Sequence, residues 1–212
     1  MSKYGRTFHL SWSPGATNDD KISESVNSLL GVDIIITEKL DGSNTGFVKN
    51  GVYGRSHSDF SRNPWDIKSW EIWNLIKNDL HDDLFIFGEG MYGIHSIEYK
   101  KLKSYFYMFG IRDNNIWISW ENVEEYSYLL NIPTVPVLFK GIINTENELK
   151  EITERLSKMP SKLGGIREGI VVRNAGLFHN DDFGDNVMKW VRKDHVTTST
   201  HWTRNWKQSK LN

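Results

Sequence analysis

The 212-residue chain has no cysteine, which excludes a disulfide scaffold, thiolate metal ligation and a cysteine nucleophile together. Proline is scarce, at 5 residues, and no Pro, Gly or Ser tract dominates, so the composition is not that of a disordered chain. No apolar run approaches the roughly 18 residues that a membrane span needs. The opening Met1-Ser-Lys-Tyr-Gly-Arg6 lacks an apolar signal core, so a soluble, cytoplasmic protein with no membrane partner is expected. Net charge is only −1, and any nucleic-acid surface must therefore be local. What the chain does have is 38% hydrophobic residues, enough for a substantial core in one domain spanning 1–212.

Charge is concentrated late. Between residues 185 and 212 stand Lys189, Arg192, Lys193, Arg204, Lys207 and Lys210 against Asp185 and Asp194, with His195, His201, Trp190, Trp202 and Trp206 among them. The final stretch, about 196–212, reads as a short basic, Trp-containing tail. Such a tail is either a solvated end or a phosphate-binding surface with aromatic platforms.

Strand and helix patterns alternate, with no internal repeat. Asp33–Glu38 is a short β-branched run of the buried-strand type. Thr45–Val48 and Val52–Ser56 flank Lys49-Asn50-Gly51, and Asn50-Gly51 is a hairpin signal. A helix follows Asn63-Pro64 and carries Trp65, Ile72, Trp73, Ile76 and Leu80 on a 3.6-residue period. Leu84–Gly88, Tyr105–Ile111 and Ile116–Ser119 read as strands, the last two joined through Asp113-Asn-Asn. Ser119 can cap a helix bearing Val123, Tyr126 and Leu130. Thr145 and Glu148 form a capping box ahead of Leu149, Ile152, Leu156 and Met159. Gly169–Arg173 and Asn186–Arg192 complete the strands. Hairpins outnumber possible βαβ units, so an α+β fold with mixed or antiparallel sheets is predicted.

The most specific string is Glu38-Lys39-Leu-Asp41-Gly42-Ser43-Asn44. A buried strand delivers a lysine into a tight polar turn. Only the neutral amine is nucleophilic, and an ordinary lysine is about one part in a thousand neutral at pH 7. A nucleophilic lysine therefore needs a dry pocket and cationic neighbours, which lower its pKa. Gly42 permits close backbone approach. Asp41 and Asn44 offer oxygens to a hydroxyl, a metal-bound water or a turn amide. A surface turn with an incidental lysine is the plainer alternative.

Gly88-Glu89-Gly90-Met-Tyr-Gly93 matches the spacing of a dinucleotide fingerprint. It is rejected because Glu89 would oppose a pyrophosphate, no patterned helix follows, and the next strand enters a hairpin. Glu89 reads better as a ribose-hydroxyl acceptor or a metal-shell ligand. Glu168 opens the strand Gly169–Arg173. In Val187-Met-Lys189-Trp190-Val-Arg192, alternation puts Lys189 on the face opposite Trp190 and Arg192. Taken together, a strand-end lysine, several carboxylates and late cations suit a triphosphate and a divalent metal with its waters. Histidines are scattered without zinc spacing. His57 and His95 read as structural or substrate-contact residues rather than catalysts.

These strings, in order, resemble the motifs of the covalent nucleotidyltransferases (ligases and mRNA-capping enzymes): KLDGSN at 39–44, GRS at 54–56, FGEGMYG at 87–93, YMFGIRD at 107–113, EGIVVR at 168–173 and VMKWVR at 187–192. Asn44, and the order as a whole, look most like the ATP-dependent RNA ligases of the phage RNA ligase 2 type. The match covers about residues 33–195. It implies a nucleotidyltransferase fold with two mainly antiparallel sheets flanking an ATP groove. It implies ATP as AMP donor, Mg²⁺ or Mn²⁺ as metal, and RNA with 5′-phosphate and 3′-hydroxyl ends, including a nicked duplex, as substrate. Lys39 would carry AMP, with Glu38 near the adenine and Phe109 stacked on it. Arg55 and Glu89 would hold the ribose or phosphates. Glu168 and Asn44 would organise metal waters, and Lys189 would contact the α-phosphate.

The chain departs from that family in three places. Where the family has Lys-x-Lys, this chain has Lys189-Trp190-Val191-Arg192, so Arg192 takes over as the second cation or the register shifts. Gly110 stands where an aspartate is usual. About twenty residues follow the last motif, which leaves no room for an OB domain, and a monomer is expected. Two other readings fit the same residues: a lysine-dependent nucleotidyltransferase with another acceptor, such as a DNA nick, and a non-catalytic nucleotide- or RNA-binding module.

Overall fold

β-Branched and aromatic runs make strands the dominant elements of the computed structural model, which describes residues 4–55, 59–193 and 202–212. Ser56, His57, Asp194, His195 and His201 lie outside the described residues. In chain order the strands are β1 (Phe8–His9), β2 (Asp33–Lys39), β3 (Ser43–Val48), β4 (Gly51–Gly54), β5 (Leu84–Gly90), β6 (Gly93–Ile94), β7 (Phe106–Asp113), β8 (Ile116–Trp117), β9 (Val137–Ile142), β10 (Gly169–Asn174), β11 (Phe178–His179), β12 (Val187–Val191) and β13 (Lys207–Gln208). The helices are α1 (Ile67–Ile76), α2 (Trp120–Leu129), α3 (Glu146–Ser157) and α4 (Phe183–Asn186). No helix among the described residues is long and apolar enough to cross a membrane.

Two large sheets form, in the orders β1-β12-β10-β2-β9 and β11-β8-β7-β5-β3-β4, with β13 and β6 as a small third pair. β1 runs parallel to β12; the neighbours that carry the expected motifs pair antiparallel. The α+β expectation is thus met. β2 is an interior strand of its sheet, between β10 and β9, and is buried on both faces. Ile34 and Ile36 join Ile170, Val172, Met188 and Trp190 in a core closed by Leu149 and Leu156 of α3. Ile35 and Leu40 join a second core with Phe47, Ile86, Phe106 and Trp120. That two-sided burial explains why the β2 string reads as a continuous apolar run rather than an alternation.

Local signals placed most elements correctly. Ser119 caps α2 by accepting from Asn122 N, and Thr145 and Glu148 form the capping box of α3. Pro64 opens a 3₁₀ turn that leads into α1. The first hairpin is shifted by one residue from expectation. Val48 pairs with Gly51, so Lys49 and Asn50 make the loop and Gly51 begins β4. In the second hairpin Asp113 pairs with Ile116, and Asn114 takes φ 51°, a left-handed value that asparagine tolerates. β9 was not anticipated. It is an edge strand behind Pro136, half-buried without clean alternation.

The basic end, which in sequence reads as either a solvated end or a phosphate-binding surface, is docked in its described part. β13 pairs with β6 through Lys207↔Ile94 and Gln208↔Gly93. Ser209 N donates to the Tyr92 carbonyl at 2.8 Å, and Asn212 N to that of Leu102 at 2.8 Å. Trp206 packs on Tyr92 and Trp65. Aromatic burial and main-chain pairing here offset the entropy of ordering the segment.

Candidate active site

The two large sheets face each other across a cleft of about 850 Å³. One wall carries Thr37 and Lys39 of β2, Val171 and Arg173 of β10, and Lys189 of β12; the other carries Asn44, Glu89 and Phe109. The sequence string at 38–44 is the hinge between them, because β2 belongs to one sheet and β3 to the other.

The turn is clamped by Asp41. Its Oδ2 accepts from Ser96 N at 2.8 Å, Ser96 Oγ at 2.7 Å and Ile97 N at 2.8 Å. Of the roles open to Asp41, the structure fills two, acceptance from a hydroxyl and from loop amides. Gly42 N donates to Glu89 Oε1 at 3.2 Å. A Cβ at Gly42 would lie 2.6 Å from the Gly90 carbonyl and 2.9 Å from Glu89 Cγ. Close approach therefore demands glycine there.

Lys39 Nζ donates to both carboxylate oxygens of Glu168, each at 2.8 Å. The register explains the meeting: Gly169, next to Glu168, pairs directly with Lys39. The Lys39 side chain is 28% exposed and that of Glu168 6%. Burial pulls the Lys39 amine down, but Glu168, Glu89 and Asp41 outweigh it and hold the ammonium above its ordinary range. This corrects the expectation of a lysine with a lowered pKa. The dry site is present, but it brings carboxylates to the amine rather than cations.

Glu89 stands beside Asn44 across the β3–β5 ladder. Burial pushes its carboxyl up to about 8; Lys39 opposes the rise while Glu168 and Asp41 add to it. Burial outweighs the pull of Lys39, so Glu89 keeps a proton at neutral pH. The folded chain binds that proton more tightly than an unfolded chain does. The associated stability is complete below the ordinary glutamate range and is lost as pH rises through about 8. Glu89→Gln, which cannot ionise, is expected to gain on wild type by about 1–3 kcal/mol as pH rises from about 5 to about 9, allowing for partial exposure. Urea denaturation across that range measures it; a constant difference would show that Glu89 ionises as an ordinary carboxylate.

Two buried oxygens lack a partner among the described residues: Asn44 Oδ1 and Glu38 Oε1. Both residues line the cleft. The other Glu38 oxygen accepts from Lys162 N at 3.0 Å and lies 3.6 Å from Arg167 Nη2. No cluster of three His, Cys, Asp or Glu able to hold a metal occurs among the described residues.

Lys189 lies 3.5 Å from Asp20 Oδ1. Burial lowers its pKa against the pull of Asp20, with Lys39 and Arg55 adding to the fall. Arg55 is exposed at the cleft edge, and Phe109 is half-buried in its wall. Arg192 departs from expectation. It follows the end of β12 and is absent from the cleft lining, where Val191 shares the Lys189 face. Strand alternation accounts for this. Its backbone N–H does serve the site, donating to the Glu168 carbonyl at 3.1 Å.

Sequence reasoning missed several lining groups. Tyr4 packs against Phe87, Phe109, Trp117 and Phe183, with ring centroids 5.0–5.6 Å away. Burial pushes its hydroxyl up to about 12. Nothing in the unpatterned N-terminal segment signals this. Arg173 also lines the cleft; burial pulls it down to about 10, and its guanidinium lies over Trp120 and Phe178. Trp65 and Trp202 line it as well, together with His95, which in sequence reads as a structural or substrate-contact residue. The dinucleotide spacing is coincidental. Gly88 is a strand residue whose Cβ would meet the Phe106 ring at 2.3 Å and the Tyr107 carbonyl at 2.6 Å.

The sequence profile described as RNA ligase matches residues 32–191. Comparison with curated proteins yields no significant match. Among solved structures the chain is similar to Naegleria gruberi RNA ligase with PPi, at TM-score 0.59 and 20% identity over 91% of this chain and 56% of that one. A glutamate-to-alanine mutant of that ligase with ATP and Mn gives TM-score 0.61 and 19% identity, over 93% and 58%. Another such mutant, with AMP and Mn, gives 0.62 and 19%, over 93% and 57%. At these identities the likeness is one of fold, and the chain spans well under two thirds of the length of those structures.

Proposed function

The chain belongs to the RNA ligase family, and from that premise we propose that it is an ATP-dependent RNA ligase joining 5′-phosphate to 3′-hydroxyl ends through AMP carried on Lys39. The observation that carries this reading is the Lys39–Glu168 pair at the floor of the cleft, both N–O distances being 2.8 Å. Structures of the same fold solved with ATP, AMP and Mn support it.

In the first step the neutral Lys39 amine attacks the α-phosphorus in line. The N–P bond forms, the P–O bond to pyrophosphate breaks, and pyrophosphate leaves. Next, an oxygen of the RNA 5′-phosphate attacks the same phosphorus; the N–P bond breaks and the amine is restored. Finally the 3′-hydroxyl oxygen attacks the 5′-phosphorus and AMP departs. Positioning and charge neutralisation are the main demands of such transfers.

The residues present meet those demands. Lys189 would neutralise the α-phosphate, and Phe109 would stack on the adenine. The free Glu38 oxygen would accept from the adenine amine. Arg55 and the protonated Glu89 would hold phosphate and ribose hydroxyls. The unpartnered Asn44 oxygen and the Glu168 carboxylate are hard donors that fit Mg²⁺ or Mn²⁺ through water. When bound, that ion supplies positive charge beside the α-phosphate. Burial opposes the Lys39 ammonium while Glu168 holds it, and Nζ must give up its proton to water before it can attack.

Incubation with ATP labelled at the α-phosphate should give a metal-dependent labelled protein that survives denaturation. Nicked RNA should be sealed faster than nicked DNA. Absence of the adduct would reduce the chain to a binding module; preference for nicked DNA would change the acceptor.

A further inference from the structure

Beyond the nucleotide groove, the cleft has a second aromatic surface that the proposed chemistry does not use. Trp202 stacks on His95 with ring centroids 3.7 Å apart and planes 20° from parallel. Trp65 meets Trp202 edge-on at 4.8 Å. The glycine at 93 makes this approach possible: a Cβ there would lie 3.1 Å from both tryptophans. The pairing of β13 with β6 fixes the segment that carries Trp202.

Position gives this cluster its meaning. His95 Nε2 lies 3.2 Å from Ser43 Oγ, and Ser43 opens β3 directly after the Lys39 turn. Phe109 is on β7, separated from β3 by β5, so the two aromatic surfaces are distinct. All three rings of the cluster are half-buried in the cleft wall rather than sealed in a core. Charge agrees. Residues 202–212 hold Arg204, Lys207 and Lys210, all exposed, and no carboxylate side chain. Aromatic platforms flanked by cations are how proteins hold single strands, the rings taking bases and the cations taking phosphates.

We propose that Trp65, His95 and Trp202 form a stacking shelf for the 5′-terminal base of the RNA strand, with Arg204, Lys207 and Lys210 contacting the phosphates behind it. This rests on the ligase reading, in which the 5′-phosphate must come to the AMP on Lys39. The shelf, next to Ser43, lies where the base of that nucleotide would be placed.

The test is fluorescence anisotropy of a 5′-phosphorylated RNA oligonucleotide, without ATP, on wild type, Trp202→Phe and Trp202→Ala. Three RNAs are compared: intact, abasic at the 5′-terminal nucleotide, and abasic at the 3′-terminal nucleotide. The intact RNA should bind Trp202→Ala about tenfold more weakly, and Trp202→Phe nearly as well as wild type. The 5′-abasic RNA should lose a similar factor on wild type and almost none further on Trp202→Ala. Equal binding of all three RNAs by wild type would overturn the proposal, whether or not Trp202→Ala folds. So would a full 5′-abasic penalty persisting in Trp202→Ala, or a penalty confined to the 3′-abasic RNA. Because binding is read without ATP, a wild type that forms no lysine adduct would refute the ligase reading separately.

Discussion

Replacement of Lys39 by alanine should abolish the labelled AMP adduct, to below about a thousandth of wild type. The nearest other lysine in the cleft cannot stand in. Lys189 is on β12, separated from β2 by β10, and is engaged by Asp20. Lys39→Arg should fail as completely, because a guanidinium does not give up its proton at working pH. The alanine variant should still fold, at some loss of stability. It strands Glu168, 6% exposed, without its cation. Breaking a fully buried pair costs about 3–5 kcal/mol, and the 28% exposure of Lys39 reduces that to about 1–3 kcal/mol. Labelling in a denaturing gel and a thermal melt check both halves. An adduct retained by a folded Lys39→Ala protein would place the AMP on another group.

Glu168→Ala should have the second largest effect, slowing adduct formation about a hundredfold or more. Two consequences of the change oppose each other. Loss of the carboxylate removes the main force holding the Lys39 proton, so burial pulls the amine pKa below its wild-type value. Taken alone, that would speed attack. The same loss removes one of the two expected metal-shell groups and the contact that positions Nζ, and these count for more. The pH dependence separates the two effects. Residual single-turnover labelling should reach its plateau at lower pH in Glu168→Ala than in wild type, at a much lower rate. An unchanged rate and profile would remove Glu168 from the chemistry.

Much of this site was legible because strand ends write their chemistry into short strings. Lys39, Glu89 and Glu168 each sit where a buried run meets a polar residue, and the register brings all three to one cleft. Alternation along β12 correctly separated Lys189 from Arg192, yet Arg192 was still expected in the groove. The strand pattern outweighs the need for a second cation. The direction of the Lys39 shift was not legible. It depends on which charges lie within a few ångströms, and Glu168 is 129 residues away in sequence. Tyr4 was hidden because the N-terminal segment carries no pattern. Trp65, His95 and Trp202 each stood out, as a helix residue, a contact residue and an aromatic of the basic tail, but only tertiary packing brings the three together. β9 escaped because an edge strand need not alternate cleanly.

Glu38 and Lys39, early in the chain, are gripped by groups that arrive late: Lys162 N, 124 residues on, and Glu168, 129 residues on. During synthesis Lys39 therefore leaves the ribosome long before its hydrogen-bonded partner Glu168. Contacts this distant in sequence are slow to form, and a fragment ending before Pro160 would lack Glu168, Arg173 and Lys189 of the cleft lining. The cleft lining is thus complete only once the final quarter of the chain has docked.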